Sequence, residues 1–405
     1  MINDPVHGFL TISSDILFDL IEHPFFQRLR RIRQLGLTNV VYPAANHTRF
    51  QHALGSLFLM ETAIKTIRSK GHAISDTEAE AASIAILLHD IGHGPFSHAL
   101  EKTIIQGISH EYMSKLFMEE LNRQFDGKLS LAMDIFTNKY HKKFLHELVS
   151  SQLDMDRLDY LKRDSLSTGV VEGIISSDRI IDMLNIVNGK IVVEEKGIYS
   201  IEKFVLARRL MYWQVYLHKT VIAAEWLLVN ILTRAKELSK KGTQLFATPS
   251  LRFFLSGNIN KSSFMSSKKR KEILAHFSAL DDSDIIAAIK VWANEKDIIL
   301  SVLCNNFLDR KLCKIEISDE KVPGKRYTTL LEKAAKKYDI PLDDAHYFVF
   351  SGSITNNLYD ISDEKILILT KQGKVINIEK ASDILDISIL TKKGEKFFLC
   401  YPKNL

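Results

Sequence analysis

The stretch Leu87-Leu88-His89-Asp90-Ile91-Gly92-His93-Gly94-Pro95-Phe96-Ser97-His98 decides the interpretation of this chain. An adjacent His and Asp at the end of an apolar helix place a ring nitrogen and a carboxylate oxygen at one spot. Two more histidines follow shortly after, beside glycines that let a ligand come close. Metal-binding and proton-transferring groups are therefore concentrated where an ordinary core helix carries Leu and Ala.

The composition narrows the class of protein. The 405 residues suffice for two or three domains, and 46% hydrophobic with 25% charged residues is typical of a soluble globular protein. No apolar stretch reaches the roughly 18 residues of a membrane span, and the N-terminus lacks the order of a signal peptide. Three scattered cysteines favour a reduced, cytoplasmic protein without a thiolate metal site. The net charge of +5 suits an anionic ligand without indicating nucleic acid.

Apolar residues at three- and four-residue spacing predict a mainly α fold for the first part of the chain. The predicted helices cover 17–21, 25–35, 55–67, 79–91 and 110–123. The fourth helix is nearly all apolar from Ser83 to Leu88, so we expect it to be central and buried. Gly92 and Gly94 end it, which leaves His89 and Asp90 in its last turn.

The middle of the chain is predicted to add a hairpin and a long helix. Residues 189–201 have short β-branched runs on either side of Glu194-Glu195-Lys196-Gly197, which is typical of a β-hairpin. A single helix is expected over 200–240, because that stretch contains no Gly or Pro. The polar stretch 256–272 is predicted to be a surface loop that leads into a helix. Its basic cluster, 268–271, is either solvated or a contact for nucleic acid.

The end of the chain is predicted to form a small α+β module. Helices are expected near 282–305 and 328–337, and β-type runs dominate after residue 345. The predicted units are a core carrying the metal site (1–185), a hairpin with a long helix and helical extension (186–310), and the C-terminal module (311–405).

Imidazole and carboxylate ligands suit a mononuclear metal site for phosphate chemistry, which also needs open positions for water and substrate. His89 and Asp90 supply two such ligands. His52, at the end of the segment 46–52, is a third candidate. The same pair could instead be a satisfied polar pair that caps a buried helix, so further motifs have to decide between the two interpretations.

The fourth ligand is expected from the segment 152–164. There Asp156, Tyr160 and Asp164 lie four residues apart and share one helical face. An acid, a phenol and an acid on an inward face are costly unless they bind something. We favour Asp156 because it begins that face, and Asp154 stays open as the alternative.

In these motifs the chain resembles the HD-domain phosphohydrolases, specifically the dGTPase-like branch of dNTP triphosphohydrolases that includes the human enzyme with SAM and HD domains. The shared motifs lie at 3–8, 26–36, 47–52, 89–98, 109–111 and 154–164, with a weaker match at 208–219. They follow the family's order through about the first 220 residues. The resemblance implies an HD-domain helical bundle, with the predicted hairpin and C-terminal module attached to it.

Carried over position by position, the resemblance implies three sets of site residues. The metal ligands are His52, His89, Asp90 and Asp156. The catalytic set that lines the reacting phosphates is His93, His98 and His110, with Glu101 and Glu111 orienting His110. The substrate-binding set comprises Arg49, Arg157 and Arg208 at the phosphates and Gln34, Leu35, Tyr160, Asp164 and Tyr216 around the deoxyribose. Glu101 stands where the human relative has Asp.

The implied reaction is hydrolysis of a dNTP to deoxynucleoside and triphosphate, with either His98 or His110 handling the proton. The implied cofactor is one divalent transition metal (Fe, Mn, Ni, Co or Zn). The ligand set also allows a Mg²⁺ ion that binds together with the triphosphate. The family implies a homo-dimer or homo-tetramer, and Gln27 and Arg30 match part of a regulatory nucleotide site. No membrane or nucleic-acid partner is expected.

Two other functions stay open. One is a phosphohydrolase of the same fold that acts on another nucleotide or phosphoester, and the other is a nucleotide- or nucleic-acid-binding protein with vestigial catalysis. Residues outside the ligand sets receive structural interpretations. His7 ties the N-terminal turn to the core, His47 is a surface or packing residue, and the arginines of 28–33 form a solvated helix face.

Overall fold

The computed structural model describes residues 1–96, 98–105, 107–356, 365–382 and 394–405. The helices are α1 (Asp15–Glu22), α2 (Pro24–Gln27), α3 (Arg49–Ser69), α4 (Asp76–Leu88), α5 (His98–Thr103), α6 (His110–Gln124), α7 (Ser130–Phe136), α8 (Lys143–Val149), α9 (Met155–Thr168), α10 (Ser177–Asp182), α11 (Ile198–Met211), α12 (Lys219–Lys240), α13 (Pro249–Ser256), α14 (Ser267–Ser278), α15 (Asp282–Trp292), α16 (Ile298–Leu308), α17 (Gly324–Tyr338) and α18 (Ile378–Ala381). The strands are β1 (Ile2–Asp4), β2 (Gly8–Leu10), β3 (Leu184–Val187), β4 (Lys190–Glu194), β5 (Lys314–Ser318), β6 (Phe350–Asn356), β7 (Leu367–Leu369), β8 (Val375–Asn377) and β9 (Gly394–Tyr401). The prediction of a mainly α fold is confirmed.

Helix α4 is the buried centre of the bundle, as its apolar sequence predicts. It begins with a capping box, in which the Ser75 hydroxyl accepts from the Glu78 N–H and the Glu78 carboxylate accepts from the Ser75 N–H. Every residue from Ala81 to Leu88 is buried. The helix packs against α3, α7 and α8. His89 therefore leaves the helix deep inside the protein and not at its surface.

The turn after α4 is held against the start of α6. A Cβ atom on Gly92 would lie 2.2 Å from the carbonyl oxygen of His110, so only glycine permits this approach. The Ser114 hydroxyl accepts from the Gly92 N–H at 2.9 Å and donates to the His89 carbonyl at 2.7 Å. This packing brings His110 beside the metal-binding candidates at the end of α4.

Arg28 holds the same turn from the other side, which corrects its assignment to a solvated face. Its side chain is fully buried, and one guanidinium nitrogen donates to the carbonyls of Ile91 and His93, both at 2.7 Å. The charge lies over the rings of Phe117 and Phe277. Burial and the nearby charge of Arg31 lower the Arg28 pKa to about 9.

The helix expected over 25–35 is shorter than predicted. Helix α2 ends at Gln27, a single 3₁₀ turn covers Arg28–Arg31, and the chain is then extended. Arg33 forms an isolated β-bridge with Thr48, and its N–H donates to the Asp282 carboxylate. These contacts with distant residues hold the chain in an extended form, so the helix ends. The spacing of apolar residues gives no information about them.

The hairpin is present, but its position differs from the prediction. Strands β3 and β4 pair through Asn188-Gly189, whose φ values of 52° and 75° suit a tight turn between antiparallel strands. The stretch Glu195–Gly197 is a 3₁₀ turn that leads into α11, not the turn of the hairpin. An Asn-Gly pair between β-branched runs was the stronger turn signal.

The helix expected over 200–240 is broken. A π-helical turn, Tyr212–Tyr216, separates α11 from α12, and the two arms are bent by 55°. The ring of His218 accepts from the Thr220 N–H and caps α12. Among the described residues, no single helix is long and apolar enough to span a membrane. The two arms of this bent pair, counted together, have the length and composition of a span.

The C-terminal segment contributes to two sheets. Strands β7 and β8 extend the hairpin into the order β3-β4-β7-β8, with β7 parallel to β4, whereas β5, β9 and β6 form an antiparallel sheet. Trp226 of α12 packs on Phe350 and Phe398 of that second sheet. The division into three units stays a prediction. The helix expected after the polar loop is α14, which begins at Ser267, so the basic cluster 268–271 is helical.

Replacing Arg28 with Ala is expected to lower the free energy of unfolding by about 3 kcal/mol, because two buried carbonyls lose a charged donor. Arg30 is the control, since its guanidinium lies on the outer side over Phe50 and its truncation should cost about 1 kcal/mol or less. Urea unfolding of the metal-depleted proteins measures both. Equal losses for the two variants would contradict this role of Arg28.

Candidate metal centre and substrate site

Three helices bring the predicted metal ligands together. His52 lies in the first turn of α3, His89 follows the last residue of α4, and Asp156 is the second residue of α9. The His52 Nε2 atom is 3.0 Å from Asp156 Oδ1 and 3.4 Å from His89 Nε2, and His89 Nε2 is 3.6 Å from Asp156 Oδ1. Ligand atoms about 2 Å from one ion are spaced in this way, so the group fits a single divalent cation.

Asp90 borders this group and connects it to the residues beyond. Its carboxylate oxygens lie 3.4 Å from His89 Nε2 and 3.8 Å from His52 Nε2. Arg49 donates to Asp90 at 2.5 Å, and His93 Nε2 is 3.2 Å from the same carboxylate. Asp90 also forms a second potential ligand group with His93 and His110. The carboxylate therefore lies between the metal ligands and the predicted catalytic histidines.

The electrostatics of the ligand group favour a bound cation. Burial alone would lower the pKa of His52, but hydrogen bonds to Asp156 and Asp159 outweigh it and raise the value to about 10. Burial raises the pKa of Asp156, but hydrogen bonds to His52 and His89 outweigh that effect and lower it. Protons thus satisfy a local excess of negative charge, and a metal ion that binds the imidazoles would displace them.

Asp154 occupies a different place from Asp156. It is the N-cap of α9, where its side chain accepts from the Arg157 N–H at 2.7 Å and from the Arg157 guanidinium at 2.8 Å. A buried carboxylate with these partners serves the helix. The geometry therefore favours Asp156 as the ligand, as the sequence analysis did.

The predicted catalytic histidines lie on the far side of Asp90. The rings of His93 and His110 are stacked with centroids 3.8 Å apart. His110 Nδ1 is 3.3 Å from Glu101, and its Nε2 is 3.2 Å from Glu111. Both predicted carboxylates thus contact this ring. The side chain of His98 lies outside the described residues.

The stacked rings differ in their affinity for a proton. Burial and the charge of Arg49 hold the pKa of His93 well below its usual range. Burial also lowers the pKa of His110, but the nearby carboxylates of Glu101, Asp90 and Glu111 outweigh that effect and raise it. One ring is thus neutral while the other is suited to carry a proton.

Aromatic rings connect the metal ligands to Asp164. The ring of Tyr160 lies 6.5 Å from that of His52 and 6.2 Å from that of Tyr216. The Tyr216 hydroxyl donates to Asp164 at 2.7 Å, and His47 Nε2 donates to the other oxygen at 2.7 Å. His47 is thus a buried partner of a predicted substrate residue, a role that the sequence analysis did not assign.

The three arginines predicted to contact phosphate are buried or nearly so, and each binds one protein partner. Arg49 donates to Asp90, Arg157 to Asp154, and Arg208 to Gln152. The Nε atom of each is buried and has no hydrogen-bond acceptor among the residues that the structure describes. Buried donors of this kind need a partner, so these three positions point to an anionic ligand.

Gln34 and Leu35 lie next to the side chains of His47, Asp164 and Tyr216. The Gln34 N–H donates to the His47 carbonyl at 3.0 Å, which places the pair beside Asp164 and its partners. The side-chain oxygen of Gln34 is buried without a hydrogen-bond donor in the described part of the chain. A hydroxyl of a bound ligand would satisfy it.

The residue behind the metal ligand His52 was not among the predicted site residues. Asp159 is fully buried and accepts from His52 Nδ1 at 2.8 Å. It lies one turn after Asp156 on the same helix, so helical spacing could have identified it. Its importance depends on partners in the N-terminal hairpin, which spacing alone does not place.

Comparison with known proteins agrees with this geometry. The HD domain model matches residues 49–164, and the HD associated region matches 175–246. HD domains bind divalent metals, and the cluster at His52, His89, Asp90, His93 and Asp156 is compatible with such a site.

Related proteins cover the chain to different extents. The uncharacterized protein YwfO of Bacillus subtilis strain 168 is 32% identical over 99% of this chain and 92% of its own length. The crystal structure of a phosphohydrolase from Bacteroides thetaiotaomicron is 53% identical, with a TM-score of 0.95 and coverage of 99% and 98% of the two chains. The deoxynucleoside triphosphate triphosphohydrolase SAMHD1 homolog of Dictyostelium discoideum is 30% identical over 60% of this chain and 51% of its own length. The chain therefore belongs to the HD-domain phosphohydrolase superfamily and is similar, within it, to the SAMHD1 proteins.

Proposed function

We propose that this hydrolase cleaves deoxynucleoside triphosphates to deoxynucleoside and triphosphate, with one divalent transition metal at His52, His89, Asp90 and Asp156. The observation that carries the proposal is the set of three buried Nε donors on Arg49, Arg157 and Arg208. Three guanidinium groups around one site suit a ligand with several phosphate groups.

The other end of the site supports a nucleoside. Asp156 and Asp164 are eight residues apart on α9, which is about 12 Å along the helix axis. The aromatic side chains of Tyr160 and Tyr216 line that distance, and Asp164 offers a carboxylate at its end. A sugar bound between them would direct its 3′-hydroxyl to Asp164 and its 5′-phosphates to the metal ligands. Leu35 and Tyr216 would crowd a 2′-hydroxyl.

The chain's own residues divide the chemistry between them. A bound divalent cation would supply Lewis acidity and activate water. The arginines hold and orient the phosphates, and the buried site excludes bulk water. His110 is flanked by Glu101 and Glu111 and stacked on His93, so we assign it the transfer of a proton to the leaving 5′-oxygen. A homo-dimer or homo-tetramer, a regulatory nucleotide and a cytoplasmic location belong to the same proposal.

Product analysis tests the reaction directly. The purified protein is incubated with each dNTP, with GTP and ATP, and with an aryl phosphate, with and without Mn²⁺. We expect intact triphosphate and deoxynucleoside from the dNTPs alone. Release of orthophosphate, or turnover of the aryl phosphate only, would indicate another phosphohydrolase activity. No turnover with any metal or added nucleotide would favour a binding protein.

Asp156→Asn is expected to weaken metal binding by more than about 100-fold and to abolish hydrolysis. Loss of a residue that only supports a metal ligand already lowers metal affinity by about 10- to 100-fold, and loss of the ligand itself should lower it further. Asp154→Asn is the matched control. It lies two residues away, is buried, and Asn caps a helix as well as Asp does. Metal content and turnover are measured for both variants. Retained metal and activity in Asp156→Asn would remove this residue from the ligand set.

Asp164 is expected to recognise the 3′-hydroxyl. The wild-type kcat/KM for a dNTP should exceed that for its 2′,3′-dideoxy analogue by about 10- to 100-fold, the worth of a hydrogen bond to a charged group. Asp164→Asn should narrow the gap to a few-fold while metal content stays unchanged. An unchanged ratio would show that Asp164 acts only through its bonds to His47 and Tyr216.

A further inference from the structure

The N-terminal hairpin is built to present two side chains to the core. Strands β1 and β2 pair Asp4 with Gly8, and Gly8 has a φ of +78° that suits the turn. The Asp4 carboxylate accepts from the N–H groups of Val6 and His7 at 2.9 and 3.0 Å. Its other oxygen accepts from Arg163 at 2.8 Å. The turn therefore has a fixed shape and a fixed attachment to α9.

His7 from this turn reaches the residue behind the metal ligand. Its Nε2 atom donates to Asp159 Oδ1 at 2.7 Å, and His52 Nδ1 donates to Asp159 Oδ2 at 2.8 Å. Arg163 donates to both oxygens at 2.9 Å. The side chains of His7, Asp159 and His52 are 1%, 0% and 0% exposed, so water does not replace these bonds. One carboxylate thus accepts four hydrogen bonds.

This arrangement decides which nitrogen of His52 is available to a metal. An ionised carboxylate only accepts, so the neutral, metal-binding form of His52 carries its proton on Nδ1 and directs the Nε2 lone pair into the space between Asp156 and His89. The ring orientation follows from the position of Asp159. A Cβ atom on Gly55 would lie 1.9 Å from Asp159 Oδ1, so α3 leaves room for the carboxylate at this place.

We propose that His7 is a positioning residue for the metal centre, which acts through Asp159 to hold the ring of His52 in its metal-binding orientation. The inference rests on the metal centre of the proposed function and adds the 2–10 hairpin to it. Arg163 neutralises Asp159, but it lies on the same helix and cannot fix the carboxylate from the opposite side. His7 supplies that bond from a separate segment of the chain.

The experiment titrates Co²⁺ into the metal-depleted full-length protein and records both the dissociation constant and the visible absorption of the bound ion. His7→Leu removes the donor at similar size and should weaken Co²⁺ binding by about tenfold and alter the spectrum. His7→Gln retains an N–H near the Nε2 position and should remain within about threefold of wild type with an unchanged spectrum.

Gly8→Ala separates positioning from hairpin stability. An Ala at a φ of +78° strains the turn, yet its Cβ contacts nothing within 4 Å. If the hairpin matters only for stability, Gly8→Ala and His7→Leu will weaken Co²⁺ binding alike, and the proposal is overturned. Wild-type binding in His7→Leu overturns it as well. The expected result is weakened binding in His7→Leu alone.

Two further outcomes are distinguishable. If His7→Leu does not fold, His7→Asn replaces it, since its shorter side chain cannot reach Asp159. Weak binding in His7→Asn with normal binding in His7→Gln supports the proposal, and equal binding overturns it. If wild-type protein binds no Co²⁺, the metal centre of the proposed function fails first and the role of His7 fails with it.

Discussion

The structure depends on burying two imidazole nitrogens and a carboxylate oxygen within 3.6 Å of one another. Such a group is costly to desolvate unless each member has partners. The partners of these groups and of the neighbouring Asp90 come from several elements, with Asp159 behind His52, Arg49 against Asp90, and the Ile86 carbonyl accepting from His89 Nδ1 at 2.6 Å. The packing of α3, α4 and α9 is therefore constrained by where these polar groups meet. The apolar faces stabilise the bundle, whereas the polar cluster determines its register.

Glycines at the contact points make this packing possible. Gly92 admits the backbone of α6 to the turn after α4, and Gly55 admits the Asp159 carboxylate to the surface of α3. At either position a methyl group would separate a helix from the polar group that it supports. Gly92 and Gly55 thus allow close packing within the protein, of a backbone segment and of a carboxylate, and their contacts are with protein atoms.

Residue type and helical spacing were sufficient to predict much of the site. His89 and Asp90 follow an apolar helix, and Asp156 begins an acidic face, so their convergence could be expected from local sequence. The central position of α4 followed from the same apolar run. The hairpin was misplaced because β-branched residues lie on both sides of Glu195, and pairing with β3 is decided by the Asn188-Gly189 turn. Residue type and spacing therefore predicted the existence of these elements more accurately than their boundaries.

Other features depended on contacts between distant segments and could not be predicted locally. The π-helical turn at Tyr212–Tyr216 lies in a stretch without helix-breaking residues, and it places Tyr216 against Asp164, 52 residues away. Arg28 follows a short helix and has the sequence context of a solvated residue, yet its partners are 63 and 65 residues later.

Buried arginines differ in how many of their donors the protein satisfies, and burial alone can leave a donor unpaired, as at Arg28, whose Nε and Nη1 have no acceptor in the described part of the chain. All three nitrogen positions of Arg163 donate to Asp4 and Asp159, so the protein itself satisfies this guanidinium. Arg49, Arg157 and Arg208 each bind one protein partner and retain a buried Nε–H. What distinguishes these three arginines is that their partners, Asp90, Asp154 and Gln152, are a metal-ligand candidate or lie within four residues of Asp156. Their persistence around the metal ligands is the physical reason to regard this region as a site for a polyanion, because an anionic ligand supplies the acceptors that the chain does not.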